Sequence, residues 1–234
     1  QAAAGNRSVV EMLDYLRTLV ADRRLHPRDP ERDVLTRLIQ GEAGGGEQLT
    51  EVELLQNCIF LLNAGHETTT NLIGNGLIAL QAHPDQREWL LDALATHRQD
   101  AAATEGVLTS AVDEILRYES SNQLGNRRAL KACCIGGVEL PAGALITLCI
   151  GAANRDPTVF EHPEAFQLAR TPNRHLAFGF GVHQCAGLSL ARLEGRVAIG
   201  RFLQRFPAYK LTASPVRGGR ARFRGFLHAP FAVS

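Results

Sequence analysis

The sequence lacks a charge imbalance, and this argues against a role in binding nucleic acid. Its 234 residues carry 25 basic and 24 acidic side chains, which leaves a net charge of +1. Such a chain has no overall basic field to attract phosphates. The basic residues gather only at Arg217 to Arg224, and we interpret that segment as a solvated strand pair near the C-terminus. Long hydrophobic runs are missing too, because no stretch reaches the roughly 18 apolar residues of a membrane-spanning helix.

Cysteine is also scarce and is not arranged in pairs. The five cysteines are scattered, odd in number and without metal-ligand spacing, which argues against a disulfide framework and a structural zinc site: Cys58, Cys133, Cys134, Cys149 and Cys185. No secretory signal precedes the first predicted helix, so we expect a cytoplasmic protein. The chain begins Gln-Ala-Ala-Ala without methionine, so an upstream anchor would not be visible. Hydrophobic residues make up 45% of the chain, enough for a globular core.

The most informative stretch is the glycine-rich segment from Phe178 to Gly187, which contains Cys185 and precedes a helical apolar pattern. A cysteine at a helix N-terminus lies near backbone N–H groups that have no intrahelical partner, and these favour the thiolate. Glycines allow positive φ angles and let a bulky flat partner approach the main chain. The pattern indicates a thiolate suited to be a metal ligand or a nucleophile. Taken alone, Cys185 could equally be one more buried small hydrophobic residue.

A second unusual segment lies inside a long predicted helix. Thr50 and Glu53 form a capping box that opens a helix from about Glu51 to Ala82, long and apolar enough to run through the interior. Its middle, residues 63–70, places a glycine and polar residues where core leucines belong. Ala64 and Thr68 are four residues apart and share a face. The alternative is a kinked core helix whose threonines bond back to preceding carbonyl groups.

The pattern Phe178, Gly181, Cys185 and Gly187 resembles the haem-thiolate loop of the cytochrome P450 family. The resemblance implies that Cys185 is the axial ligand of the iron in haem b, an arrangement that favours O–O bond cleavage. It also assigns cofactor contacts to the neighbouring residues of the loop: Phe178, Gly179, Ala186 and Gly187.

The segment from Ala64 to Thr69 resembles the oxygen-activation motif of the same family. On that resemblance, Glu67 and Thr68 are the catalytic acid and alcohol that deliver protons. Ala64 and Gly65 carry little side-chain bulk and would let the haem and a small second ligand approach the helix. His66 is interpreted as a packing residue, because no second metal ligand lies four residues away.

Glu114 and Arg117 form an E-x-x-R pair, which is a common surface ion pair when taken alone. In this context it resembles the buried structural pair behind the haem loop of the family. The family often adds an arginine immediately before the phenylalanine of a P-x-R-F segment, but here that position is Ala165. Three residues downstream are alternative substitutes, and the sequence does not choose among them: Arg170, Arg174 and His175.

The two haem propionates require cationic or donor side chains. His183 lies two residues before Cys185, where related bacterial enzymes place a propionate-binding histidine. Arg127 matches the R-x-A position to which the family gives the same role. The alternatives are a surface histidine in the loop and an exposed charge on an edge strand.

The sequence therefore predicts a mainly α fold with small β-sheets, of the cytochrome P450 type with the N-terminal part missing. Residues 1–234 are expected to be the C-terminal portion of a single domain, with the long helix at about 50–82 and the haem-thiolate loop at 178–187. The run from Arg117 to Arg127 looks closest to bacterial self-sufficient members fused to a reductase. The missing part would leave an apolar surface exposed, which predicts an upstream segment, a partner chain or a dimer.

Two functional hypotheses follow from the resemblance. The first is a haem-thiolate monooxygenase that oxidises a small organic substrate with electrons from a ferredoxin or a flavin and iron–sulfur reductase. The second is a non-catalytic fragment that binds haem or serves as an interaction module. A thiol enzyme with Cys185 as nucleophile and His183 as base is less favoured, because no Asp or Asn follows in the required pattern.

Overall fold

The structure is a computed structural model that describes residues 2–41 and 48–233. The described residues form seven α-helices: α1 (Ala2–Leu25), α2 (Val34–Gln40), α3 (Glu51–Ala82), α4 (Pro84–Thr96), α5 (Ala101–Tyr118), α6 (Ile150–Ala153) and α7 (Leu188–Arg205). With the eight short strands below, this confirms the predicted class. No helix in the described part of the chain is long and apolar enough to cross a membrane. The chain divides into two compact units, residues 1–66 and residues 67–234.

The first unit contains α1, α2 and the beginning of α3. Asp33 caps α2 by accepting a hydrogen bond from the backbone N–H of Thr36 at 2.8 Å. Its small core joins residues of α1 and α3, namely Leu16, Val20, Leu54 and Leu55. The glycine-rich stretch from Gly41 to Gly46 predicts a surface loop. Gly41 follows α2 with a φ of 72°, and residues 42–46 lie outside the described residues.

Helix α3 has the bounds that the sequence predicts. The capping box is formed, since the backbone N–H of Thr50 donates to Glu53 Oε2 at 2.8 Å and the backbone N–H of Glu53 donates to Thr50 Oγ1 at 3.3 Å. The predicted course through the interior is only half correct. Residues 60–66 are exposed, whereas the part of α3 that belongs to the second unit is buried at Leu72, Leu77 and Leu80.

The core of the second unit forms where α3, α5 and α7 approach one another closely. A Cβ atom on Gly76 would lie 3.0 Å from side-chain atoms of both Ile115 and Ile199. A Cβ atom on Gly195 would lie 3.1 Å from Leu72 Cδ2. These glycines therefore permit the spacing that brings α7, the helix after Cys185, against α3 and α5.

The sequence predicts a helix from Val107 to Glu119, but helix α5 begins six residues earlier, at Ala101. Asp100 caps it, because its carboxylate accepts a hydrogen bond from the backbone N–H of Ala103 at 3.0 Å. Three successive alanines at 101–103 then continue the helix readily. The sequence prediction overlooked this cap and placed the helix start too late.

The strands form four separate antiparallel pairs rather than one sheet. They are β1 (Leu124–Arg128) with β4 (Leu145–Cys149), β2 (Cys133–Ile135) with β3 (Val138–Leu140), β5 (Lys210–Leu211) with β8 (Phe231–Ala232), and β6 (Val216–Arg217) with β7 (Phe226–His228). The sequence predicts a hairpin at residues 134–143 that leads into a strand at 144–150. Gly136 and Gly137, both with positive φ, form the hairpin turn between β2 and β3, and β4 is the predicted strand.

Tyr209 provides a test of the second unit's core. Its side chain is fully buried, and its hydroxyl donates to the Leu77 carbonyl at 2.7 Å. Burial raises the pKa of Tyr209 to about 12, although Arg87 nearby opposes the rise. The neutral form is thus favoured in the folded state, and its contribution to stability is present below pH 10 and is lost as the pH rises to 12. We expect the free energy of unfolding to fall more steeply between pH 10 and 12 in the unsubstituted chain than in Tyr209→Phe.

At neutral pH, Tyr209→Phe should lose about 1 kcal/mol of stability, because the Leu77 carbonyl loses its buried donor. Tyr15→Phe is the matched control, since Tyr15 is 63% exposed. Urea unfolding across the pH range measures both effects. Equal alkaline slopes for the unsubstituted chain and Tyr209→Phe would contradict the account.

Candidate functional site

The segment around Cys185 is folded back on itself by backbone hydrogen bonds. The N–H of Cys185 donates to the Phe178 carbonyl at 2.9 Å, and the N–H of Gln184 donates to the Gly181 carbonyl at 3.0 Å. Gly179 and Gly181 have φ angles of 69° and 73°, values that other residues adopt rarely. A loop built this way requires glycine at both positions, and it presents Cys185 at its end.

The Cys185 thiol is exposed and lies just before α7. Gly187, which has no side chain, is the N-cap residue, and a Cβ atom there would lie 3.9 Å from Cys185 Sγ. The sulfur therefore lies beside the N-cap residue of an 18-residue helix. The hypothesis of a buried, inert Cys185 is wrong. The loop presents its thiol as an accessible donor.

Three side chains outside the loop hold Phe178 in place. Asp113 of α5 accepts a hydrogen bond from Arg192 Nε at 2.7 Å and lies 3.2 Å from His175 Nε2. The Arg192 guanidinium lies 4.9 Å from the centre of the Phe178 ring, and the His175 ring lies 5.8 Å from it. Burial raises the pKa of Asp113, but hydrogen bonds from His175 and Arg192 outweigh it and hold that pKa below its ordinary value. Sequence reasoning missed Asp113 and Arg192, because neither belongs to a motif.

Glu114 and Arg117 are fully buried and joined by two hydrogen bonds of 2.8 Å, from Nε to Oε2 and from Nη2 to Oε1. Arg117 also donates to three backbone carbonyls, those of Asn154, Pro163 and Ala165, at 2.8 to 3.0 Å. The pair therefore fixes the chain segment that leads from α6 toward the Cys185 loop. The interpretation as a common surface ion pair is wrong.

Arg170 supplies the additional cation that the sequence left open. Its Nε donates to Glu114 Oε2 at 3.1 Å, and its side chain is 6% exposed. Of the other two alternatives, His175 instead contacts Asp113, and Arg174 is exposed. The cluster thus holds one carboxylate between two buried guanidinium groups.

The second half of α3 presents two adjacent faces to different neighbours. Glu67 forms an ion pair with Arg220, and Asn75, eight residues further along, donates to the Arg224 carbonyl at 2.9 Å. This face therefore contacts the part of the chain that contains Arg220 and Arg224. Thr68 is half-buried and lies one turn before Leu72, the residue that packs against α7.

The remaining predicted contacts lie on separate elements. Arg127 is half-buried on β1, where its Nη1 donates to the Asn126 carbonyl at 2.9 Å. His183 and Ala186 are exposed in the Cys185 loop, whereas Ala64 and Gly65 are exposed on the part of α3 that belongs to the first unit. The structure brings the loop residues together. The joint role of Arg127 and His183 in binding the haem propionates stays a prediction.

The surroundings of Cys185 fit a flat, largely apolar ligand that carries its own metal. Phe180 and Val182 in the loop and Leu190 at the start of α7 are 81%, 98% and 58% exposed, and large exposed apolar side chains are typical of a surface that a ligand or partner covers. Among the described residues, no group of three or more His, Cys, Asp or Glu side chains could hold a metal ion. A cysteine thiolate is a donor that haem iron accepts.

Sequence comparison places these observations in a family. The sequence model of the cytochrome P450 family matches residues 4–215. Cytochrome P450 107B1 of Saccharopolyspora erythraea is 42% identical over 216 residues, which are 92% of this chain and 50% of that protein. The biotin biosynthesis cytochrome P450 of Bacillus subtilis is 41% identical over 207 residues, 88% of this chain and 48% of that protein.

Solved structures show the same fold. P450BioI in complex with an acyl carrier protein ligated to hexadec-9Z-enoic acid has a TM-score of 0.85 and 38% identity, over 99% of this chain and 56% of that one. The cytochrome P450 PksS of Bacillus subtilis has a TM-score of 0.84 and 36% identity, over 98% of this chain and 56% of that one. The chain spans about half the length of the curated relatives it matches. It belongs to the cytochrome P450 family.

Proposed function

We propose that the chain is the haem-thiolate portion of a monooxygenase that oxidises a small organic substrate. Members of the family bind haem, iron protoporphyrin IX. Haem held by a thiolate supplies the activation of O₂, from which one oxygen atom enters the substrate and the other leaves as water. The observation that carries the proposal is the exposed Cys185 thiol at the end of a glycine-dependent loop, directly before α7.

The loop and its supports would hold the cofactor. Cys185 would supply the ligand to the metal from its position directly before α7. Phe178 contacts Arg192 and His175, which both bind Asp113 of α5, so these contacts link the loop to α5. The other proposed cofactor contacts are Gly179, Ala186 and Gly187 in the loop and Ala64 and Gly65 on α3. Arg127 and His183 would bind the propionates.

Glu67 and Thr68 would handle the protons of the reaction. The Thr68 hydroxyl can donate a proton from Oγ1 and accept one in return, and the Glu67 carboxylate can resupply it. The two residues are neighbours in α3, half-buried and on adjacent faces. This arrangement supports a proton path that runs along the helix surface rather than through bulk water.

The half-length match supports the interpretation of residues 1–234 as the C-terminal portion of a single domain. We infer that an upstream segment, a partner chain or a dimer covers the exposed apolar side chains, and that a ferredoxin or a flavin and iron–sulfur reductase donates electrons. The likeness to reductase-fused members and the cytoplasmic location stay predictions.

Turnover tests the proposal against the alternative of a non-catalytic haem-binding or interaction module. The chain is loaded with haem and supplied with O₂, a ferredoxin, its reductase and a panel of small organic substrates, and hydroxylated product is measured. We expect product formation, and about a 100-fold loss in Thr68→Val, because general acid–base steps contribute on that order. Thr69→Val, one position along the same helix, is the matched control. Bound haem without any product would favour the non-catalytic alternative.

A further inference from the structure

The arginine-rich segment of residues 217–225, which runs from the last residue of β6 to the residue before β7, is not a merely solvated strand pair. It is anchored along its length to residues that follow α5 and to α3. The N–H of Gln123 donates to the Arg222 carbonyl at 2.8 Å, and the N–H of Arg224 donates to the Ser121 carbonyl at 2.9 Å. A Cβ atom on Gly225 would overlap the Asn71 side chain, at 2.0 Å from its Oδ1. The segment is therefore packed directly on α3.

The cations of this segment are distributed among specific partners. Arg217 and Arg224 both contact Glu119, at 2.8 Å and 3.2 Å. Arg222 lies over the ring of Phe223, 5.4 Å from its centre. Arg220, between Arg217 and Arg222 in the segment, forms an ion pair with Glu67. Glu119 thus pairs with both Arg217 and Arg224, whereas Glu67 pairs with Arg220.

Backbone geometry directs Arg220 toward α3. Gly219, immediately before it, has a φ of 66°, a conformation that other residues adopt rarely. On α3, Glu67, Asn71 and Asn75 are spaced four residues apart and form one stripe that faces the segment. Two anchors hold the segment on this stripe, the close packing of Gly225 on Asn71 and the hydrogen bond from Asn75 to the Arg224 carbonyl.

We propose that Arg220 is the positioning residue for the Glu67 carboxylate. The inference rests on the proposed function, in which Glu67 resupplies protons to Thr68. A glutamate side chain has three rotatable torsions and samples many orientations when it is unpaired. The ion pair with Arg220 limits those orientations, so the carboxylate stays on the face of α3 that the arginine-rich segment contacts instead of turning into solvent. The arginine-rich segment is then part of the proton-delivery apparatus.

The contact itself is tested without haem, by NMR of the ¹⁵N-arginine-labelled chain. The Nε–H resonance of Arg220 is assigned by its loss in Arg220→Lys. We expect Glu67→Gln to shift this resonance and to leave that of Arg222 in place. An unshifted Arg220 resonance would overturn the proposal, whatever the catalytic results.

The positioning role is tested by the product formed per electron pair consumed, together with the spectrally measured Kd for substrate. We expect Arg220→Gln to lower this ratio about tenfold, as misplacement of a reacting group does, while the substrate Kd stays unchanged. Arg220→Lys should restore most of the ratio, and Arg220→Gln combined with Glu67→Gln should be no lower than Glu67→Gln alone. Arg222→Gln is the matched control from the same segment.

Three outcomes would overturn the positioning role: an additive loss in the double variant, an equal loss in Arg222→Gln, or a change confined to the substrate Kd. A failure of the proposed function looks different. The haem-loaded chain would then show no thiolate-ligated spectrum, whereas the NMR shift between Glu67 and Arg220 would still be present.

Discussion

Replacing Glu114 with Gln is expected to lower the free energy of unfolding by about 3–5 kcal/mol, a large part of the 5–15 kcal/mol typical of a domain. Glu114 is the one carboxylate held between Arg117 and Arg170, whose side chains are 0% and 6% exposed. Without its charge, two buried guanidinium groups face each other uncompensated. Glu114 also accepts a hydrogen bond from the backbone N–H of Gln167 at 2.8 Å, so a chain segment loses its anchor as well.

The chain offers a matched control in the pair Asp14 and Arg17. It has the same spacing of three residues and the same 2.8 Å contact, but its side chains are 65% and 53% exposed. Asp14→Asn should therefore change stability by less than about 1 kcal/mol. Urea unfolding of both variants measures the difference. Similar losses in the two variants would contradict the structural role assigned to the buried cluster.

Replacing Cys185 with Ala is expected to abolish turnover while leaving the fold intact. The thiol is exposed, and the loop is held by the backbone bond from Cys185 N–H to the Phe178 carbonyl, which alanine retains. The substitution removes the Cys185 sulfur, which is the only soft metal-binding atom in the loop. Product formation with haem-loaded protein, together with the urea midpoint, measures the two parts of the prediction separately.

Cys134 and Cys149 are the matched controls, because both are exposed like Cys185 but lie on β2 and β4. Cys134→Ala and Cys149→Ala should retain turnover and haem. If either control lost turnover as completely as Cys185→Ala, the thiolate ligand would have been assigned to the wrong cysteine.

The features that the sequence predicted well are those set by nearby residues. The capping box fixes the start of α3, and glycines at 179 and 181 permit the turns that present Cys185. The helix that follows Cys185 has an apolar repeat that shows in sequence. Local spacing was enough to point to the family, because the loop and the Glu67–Thr68 motif are each contiguous in sequence.

The features that the sequence could not predict depend on distant contacts. Arg170 was one of three alternatives for Glu114, and only folding shows which side chain reaches a carboxylate 56 residues away. The ion pair of Glu67 with Arg220 joins residues 153 positions apart, so no local pattern indicates it. The exposure of residues 60–66 was missed for a related reason, since burial depends on what packs against a helix and not on its own apolar content.

The most direct test of the account is the absorption spectrum of the haem-loaded chain, reduced with dithionite and exposed to carbon monoxide. We expect a strongly red-shifted Soret band, which is the signature of a thiolate on the iron. This band should disappear in Cys185→Ala. A band at the position of imidazole-ligated haem, or a red-shifted band that persists in Cys185→Ala, would contradict the assignment of Cys185 as the ligand.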